Sequence, residues 1–145
     1  VRFWDASAVI PLIVNESETE YCLKALAEDE EVLVWCQTWV EATSALCRRF
    51  REGVLPEHDL RAAKARLTSV LRGAYEVRAI DAVRKRACRL LEVHPLRAAD
   101  ASQLGAGLVA CRDEPERLPL MCFDERLRAA ALREGFVVNP GLNTL

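Results

Sequence analysis

Lysine and histidine are scarce: three Lys stand beside 17 Arg, and His58 and His94 are the only histidines. Two isolated histidines give a His-based nucleophilic triad little support. Glycine and proline are also few, six of each in 145 residues, while 51% of the chain is hydrophobic. That balance excludes a collagen-like, low-complexity or disordered polymer and predicts one domain over residues 1–145. No long apolar run is present. The longest, Ala6 to Val14, contains Ser7 and Pro11 and falls short of the ~20 residues that span a bilayer. No basic-then-apolar leader precedes it. The expectation is a soluble, cytoplasmic protein with no membrane partner.

A net charge of −2 excludes nucleic-acid binding through bulk positive charge. The arginine excess suits phosphate oxygens, although nucleotide composition alone produces the same bias. Cys22, Cys36, Cys47, Cys88, Cys111 and Cys122 form no C-x-x-C pair and have no histidine at zinc spacing. Most lie in apolar segments, as buried thiols do. Phosphate-binding G-x-x-x-x-G-K-[ST], nucleophile-elbow G-x-S-x-G and dinucleotide-binding G-x-G-x-x-G patterns are all missing.

What is there is an alternation of short apolar runs with longer amphipathic stretches. Strands are predicted at Val1–Trp4, Val32–Cys36, Tyr75–Ile80, Leu118–Phe123 and Phe136–Val138. Helices are predicted at Ala6–Val14, Ser17–Glu28, Trp39–Arg51, Pro56–Leu71, Ala82–Val93, Leu96–Cys111 and Glu125–Arg133, with an irregular tail from Asn139 to Leu145. Strands separated by long helices imply right-handed crossovers and an α/β fold around a parallel sheet. Gly105 and Gly107, inside a helical pattern, predict a close approach against the sheet or across a dimer.

In such sheets the working crevice lies at the carboxyl ends of the strands. Asp5 and Asp124 follow strands, Glu41 opens the helix after the second strand, and Asp100 opens the helix behind His94-Pro95. Each has a structural explanation. Asp5 and Asp124 suit N-caps, Thr38 to Glu41 reads as a capping box, and Asp100 complements a helix dipole. Asp81 also follows a strand and reads as an N-cap. Together, however, the four acids are expected to converge on one end of one sheet, and their neighbours are strongly apolar: Phe3-Trp4, Trp39-Val40, Ala98-Ala99 and Cys122-Phe123. Two carboxylates about 5 Å apart repel by roughly 3 kcal/mol at an effective dielectric near 20. A divalent cation such as Mg²⁺ removes that conflict.

Phe3-Trp4-Asp5-Ala6-Ser7-Ala8-Val9, Trp39-Val40-Glu41-Ala42, Leu96-Arg97-Ala98-Ala99-Asp100-Ala101 and Cys122-Phe123-Asp124-Glu125-Arg126-Leu127 resemble, in order and spacing, the PIN domain. More closely, they resemble the VapC-type toxin ribonucleases of toxin–antitoxin pairs. The resemblance implies a five-stranded parallel sheet in the order 3-2-1-4-5 and a Mg²⁺- or Mn²⁺-dependent endoribonuclease. It also implies a homodimer and a VapB-like antitoxin that covers the acidic groove. Asp5, Glu41, Asp100 and Asp124 match the acidic quartet, with Asp5 and Asp100 as the main metal holders. Ser7 matches a small hydroxyl residue lining the site, and Arg97 a basic residue before the third acid. Ser102-Gln103 departs from the usual pattern after Asp100-Ala101.

For the RNA substrate, Arg48 and Arg49 near the end of the helix that Glu41 opens, and Arg126 beside Asp124, are the candidate phosphate contacts. Arg48, Arg49 and Arg51 are equally readable as a solvated helix end, the Arg84-Lys85-Arg86/Arg89 cluster reads rather as a solvated face, and Arg126 and Arg128 are equally placed to pair with Glu125 or Glu134. Two rival readings remain: a PIN-type RNA-processing nuclease without an antitoxin, and a non-catalytic α/β binding module whose acids are caps. A phosphoaspartyl phosphatase is disfavoured because Ser7 stands where a second Asp is needed.

Overall fold

Alternate strand residues point to opposite faces of one sheet, which divides the apolar side chains into two cores. The computed structural model describes residues 1–141. Strands β1 (Arg2–Trp4), β2 (Val32–Trp35), β3 (Tyr75–Val77), β4 (Leu120–Met121) and β5 (Val138–Asn139) are all parallel, in the order β3-β2-β1-β4-β5. The α/β class and the expected strand order are therefore observed. Around the sheet lie α1 (Ala6–Ile13), α2 (Thr19–Glu28), α3 (Thr38–Arg51), α4 (Glu57–Arg72), α5 (Ile80–Val93), α6 (Ala98–Ala110) and α7 (Glu125–Arg133).

Phe3, Trp35, Val77 and Leu120 enter a core shared with α5, α6 and α7. Trp4, Val32, Val34 and Met121 enter the other, with α1 to α4. Both faces are covered, which is why the strands read as continuous apolar runs. On the α1 side, loose ends are tied by side chains. The Thr19 hydroxyl meets the carbonyls of Pro11 and Val14, 2.8 and 3.1 Å away, and Arg66 Nε donates to Ile13 at 2.8 Å.

Gly105 explains the join of α5 and α6. A Cβ there would sit 3.0 Å from the Val83 carbonyl oxygen and 3.2 Å from the Ala87 nitrogen. Gly107 faces the Phe136 ring, 3.2 Å from where its Cβ would stand. Both close approaches are made within the chain.

Several boundaries differ from expectation. The third strand stops at Val77, and α5 starts at Ile80 instead of Ala82. Asp81 does not cap that helix: the N-cap is Ala79, and the Asp81 carboxylate pairs instead with Arg84 one turn on. The fourth strand shrinks to Leu120–Met121, preceded by a 3-10 turn at Pro115–Arg117 and by Pro119, which has no N–H for a ladder. Asn139 belongs to β5, paired with Met121, so the expected irregular tail starts no earlier than Pro140. The rest of that tail, 142–145, lies outside the described residues. Among the described residues, no helix is long and apolar enough to cross a membrane.

The cysteines are all free thiols. Cys22, Cys111 and Cys122 are buried as expected, whereas Cys88 is exposed on α5. The basic face of α5 is largely neutralised: Arg84 pairs with Asp81, Arg86 with Asp113, and Arg89 with Glu134.

Candidate active site

The carboxyl ends of β1, β2 and β4 open into a cleft of about 450 Å³. Asp5, Ser7, Glu41, Asp100 and Asp124 line it, as do Arg48 and Arg49. The four acids expected from the sequence thus share one cavity, although they come from four segments. Topology accounts for Asp5, Glu41 and Asp124, because residues that follow parallel strands emerge on the same rim, and the start of α6 brings Asp100 to it.

Asp5 and Asp124 do cap helices. Asp5 Oδ1 accepts from the Ser7 backbone N–H at 3.1 Å, while Ser7 Oγ donates to Asp5 Oδ2 at 2.5 Å. Ser7 Oγ in turn accepts from the Phe123 N–H at 2.9 Å, which ties α1 to the segment after β4. Asp124 Oδ1 accepts from the Leu127 N–H at 2.9 Å at the start of α7. Asp100 makes a weaker contact, accepting from the Arg97 N–H at 3.3 Å.

Glu41 is different. The expected capping box with Thr38 does not form, because Thr38 already lies inside α3 and the N-cap position is Gln37. Glu41 instead turns toward α6, where its Oε2 accepts from Gln103 Nε2 at 3.0 Å. The same nitrogen donates to Thr38 Oγ1 at 3.1 Å. Gln103 and Thr38 were not read from the sequence as parts of the site. A signal existed: Gln103 is one turn beyond Asp100, amid the apolar Leu104 to Leu108 stretch, and a buried amide requires partners.

Burial and mutual repulsion raise the proton affinity of Asp5, Glu41 and Asp100. Desolvation pushes Glu41 up to about 7, against the Gln103 hydrogen bond, and the charges of Asp5 and Asp100 push the same way. Burial raises Asp5 above the usual carboxylate range despite the Ser7 hydrogen bonds, and the Asp124 charge adds to it. Asp100 is raised by burial and then by Asp124, while the charges of Arg97 and Arg126 oppose the rise.

The basic candidates divide. Arg48 and Arg49 line the cleft, together with Glu16 and Glu18. Arg49 is engaged there, its Nε donating to Glu16 Oε1 at 2.9 Å. Arg97 and Arg126 stand outside the lining, close enough for their charges to act on Asp100. Arg128 is buried and structural, donating at 2.7 Å to the carbonyls of both Cys122 and Pro140.

Among the described residues, no three acidic, His or Cys side chains are already gathered closely enough to hold an ion as a group. The donor chemistry nevertheless suits a hard divalent cation, since carboxylate oxygens are its preferred ligands and a positive charge offsets their repulsion. Asp100 is half-buried and Asp124 is exposed, so neither is locked by packing.

No family model matches the chain, and no curated protein matches it. Among solved structures, the fold is similar to that of PAE2754 from Pyrobaculum aerophilum, with a TM-score of 0.61 and 24% identity over 92% of this chain and 96% of that one.

Proposed function

We propose that the protein is a divalent-metal-dependent endoribonuclease of the PIN type, in which Asp5 and Asp100 hold Mg²⁺ or Mn²⁺. The observation that carries this reading is Glu41. Caps account for Asp5 and Asp124, but Glu41 caps nothing. It is a half-buried acid in a cleft with three others. Such an arrangement destabilises a domain unless a cation or a proton relieves it.

When bound, a divalent ion supplies charge neutralisation to a phosphate and lowers the pKa of water. The chain's own residues supply the rest. Glu41, with a proton affinity near neutral, accepts a proton from attacking water. Asp124 supports the metal or orients the same water. Ser7 fixes the Asp5 carboxylate through its hydroxyl. Arg48 offers positive charge along the cleft to an RNA backbone, Arg49 does so when released from Glu16, and Arg97 and Arg126 add positive charge near Asp100. In-line attack with departure of the 3′-oxygen, which takes up a proton from solvent, leaves a 5′-phosphate and a 3′-hydroxyl. The toxin role, with an antitoxin over the groove and a homodimer, belongs to the same proposal through the family resemblance.

The test is cleavage of a structured RNA pool by wild type and Asp100→Asn, each with Mn²⁺ and with EDTA. Cutting by wild type with metal alone supports the nuclease. Equal cutting by both proteins overturns the assignment. If neither cuts and calorimetry finds no Mn²⁺ binding, the cleft is a non-catalytic feature of an α/β binding module.

A further inference from the structure

We propose that Gln103 is a positioning residue: a strut from α6 to α3 that holds the Glu41 carboxylate at a set place across the cleft from Asp100. Its kinetic consequence rests on the nuclease reading, but the strut itself rests only on geometry.

Residues three apart on a helix share a face. Asp100 and Gln103 are so related on α6, and Thr38 and Glu41 on α3. The Gln103 amide nitrogen joins the two pairs, donating to Thr38 Oγ1 at 3.1 Å and to Glu41 Oε2 at 3.0 Å. Both amide protons are thereby spent, one on an anchor and one on the acid. Gln103 is 1% exposed and Thr38 fully buried, so water cannot substitute for the anchoring bond.

The other end of the amide is the more telling. Gln103 Oε1 is buried with no partner. Leaving a buried acceptor unpaired is unfavourable, and a glutamine kept for stability would be satisfied at both ends. Turning the amide over would set Oε1 against the Glu41 oxygen, acceptor against acceptor, so an ionised Glu41 fixes the amide's orientation. The placement serves Glu41 at the expense of the amide's own hydrogen bonding. Because Gln103 and Asp100 ride on one helical turn, the strut also links the position of Glu41 to that of Asp100.

The strut is tested first by NMR. The sequence has only two glutamines, Gln37 and Gln103, and Gln37 is exposed, so it serves as an internal control. The Gln103 carboxamide pair, identified by its absence in Gln103→Met, should exchange with solvent at least about tenfold more slowly than that of Gln37. Glu41→Ala should shift the Gln103 pair and speed its exchange, leaving Gln37 unchanged. A carboxamide that exchanges like Gln37, or ignores Glu41→Ala, overturns the strut whatever the enzyme does.

Kinetics then test positioning. Gln103→Met, which keeps volume and removes both donors, should lower kcat by about 10²-fold while KM changes little. Calorimetric Mn²⁺ affinity should stay within about threefold, since Asp5 and Asp100 are untouched. Thr38→Val, which leaves Gln103 in place and removes only its anchor, should give a smaller fall in kcat, and it carries the test if Gln103→Met does not fold. A protected carboxamide with wild-type kcat in the variants overturns the positioning role. A protected carboxamide that responds to Glu41, in a protein that cuts no RNA, upholds the strut and overturns the nuclease reading instead.

Discussion

Arg49 on α3 reaches across the mouth of the cleft to Glu16, between α1 and α2, and the two side chains are only 25% and 27% exposed. One of the two cleft arginines is therefore neutralised before any substrate arrives. Glu16→Gln should release it. On an Asp100→Asn background, single-stranded RNA should then bind more tightly, with a salt dependence steeper by about 0.7 in log–log slope, the equivalent of one phosphate contact. Arg49→Ala should weaken binding, because it leaves the Glu16 charge uncompensated in the cleft. Fluorescence anisotropy over a series of KCl concentrations measures both, and identical slopes in all three proteins would refute a phosphate role for Arg49.

Stability should fall with pH in a metal-free sample. The carboxyl of Glu41 titrates at 4.5 in the unfolded chain and at about 7 in the folded one, so the folded state holds more protons between those values. Its stabilising contribution is complete below 4.5 and lost as pH rises through 7. Asp5 and Asp100, also raised, act in the same direction. Because Glu41 is partly open to solvent, its share is on the order of 1–3 kcal/mol. Thermal melts in EDTA should show a decline across that window that is shallower in Glu41→Gln. Parallel curves would show that Glu41 is not perturbed.

A bound cation reverses that trend. Mn²⁺ at about 100 times its Kd should stabilise wild type by ~2.7 kcal/mol, seen as a raised Tm. Asp5→Asn and Asp100→Asn should lose the metal-induced rise. In EDTA they should melt no lower than wild type, since an amide oxygen still accepts from the N–H groups of Ser7 and Arg97. A metal-induced rise that survives both substitutions would place the ion elsewhere.

The two helix glycines should separate cleanly. At Gly105 a methyl meets backbone atoms of α5, so Gly105→Ala should destabilise by roughly 1–3 kcal/mol despite better helix propensity. At Gly107 the obstacle is the edge of the Phe136 ring, which can shift, and Gly107→Ala should be close to neutral. Urea midpoints decide the matter. Equal shifts would mean that the α5–α6 join is not tight.

Arg126 and Arg128 were indistinguishable in sequence as neighbours of Asp124. Arg128→Met strips two buried carbonyls of their donor and should destabilise by about 2 kcal/mol or more. Arg126→Ala should leave the Tm unchanged and weaken only RNA binding. A comparison of melts and anisotropy separates the two.

That pair shows where the sequence is legible and where it is not. Strand alternation and the spacing of apolar runs define the sheet, and the rule about carboxyl ends gathers Asp5, Glu41 and Asp124, because both depend on local pattern and topology, whereas Asp100, in a helix that follows a helix, is marked by the family resemblance. Whether Arg128 faces solvent or the carbonyl of Pro140 depends on a contact 12 residues away, which no local period encodes. Thr38 and Glu41 carry a good capping signature, yet α3 starts one residue earlier than that signature requires, and Glu41 is recruited by Gln103 from 62 residues away. Asp81 failed as a cap for a similar reason. The helix began before it and left its carboxylate to Arg84.

β1 lies at the centre of the sheet, flanked by β2, which follows it closely in sequence, and by β4, more than 100 residues on. A nascent chain leaving the ribosome can pair Phe3 with Leu33 long before Leu120 and Met121 have been translated. Asp124 joins the other acids only after that last docking. Whatever the cleft does, it becomes complete only after Asp124 has been translated, and a chain cut before that point carries acids without the rim that assembles them.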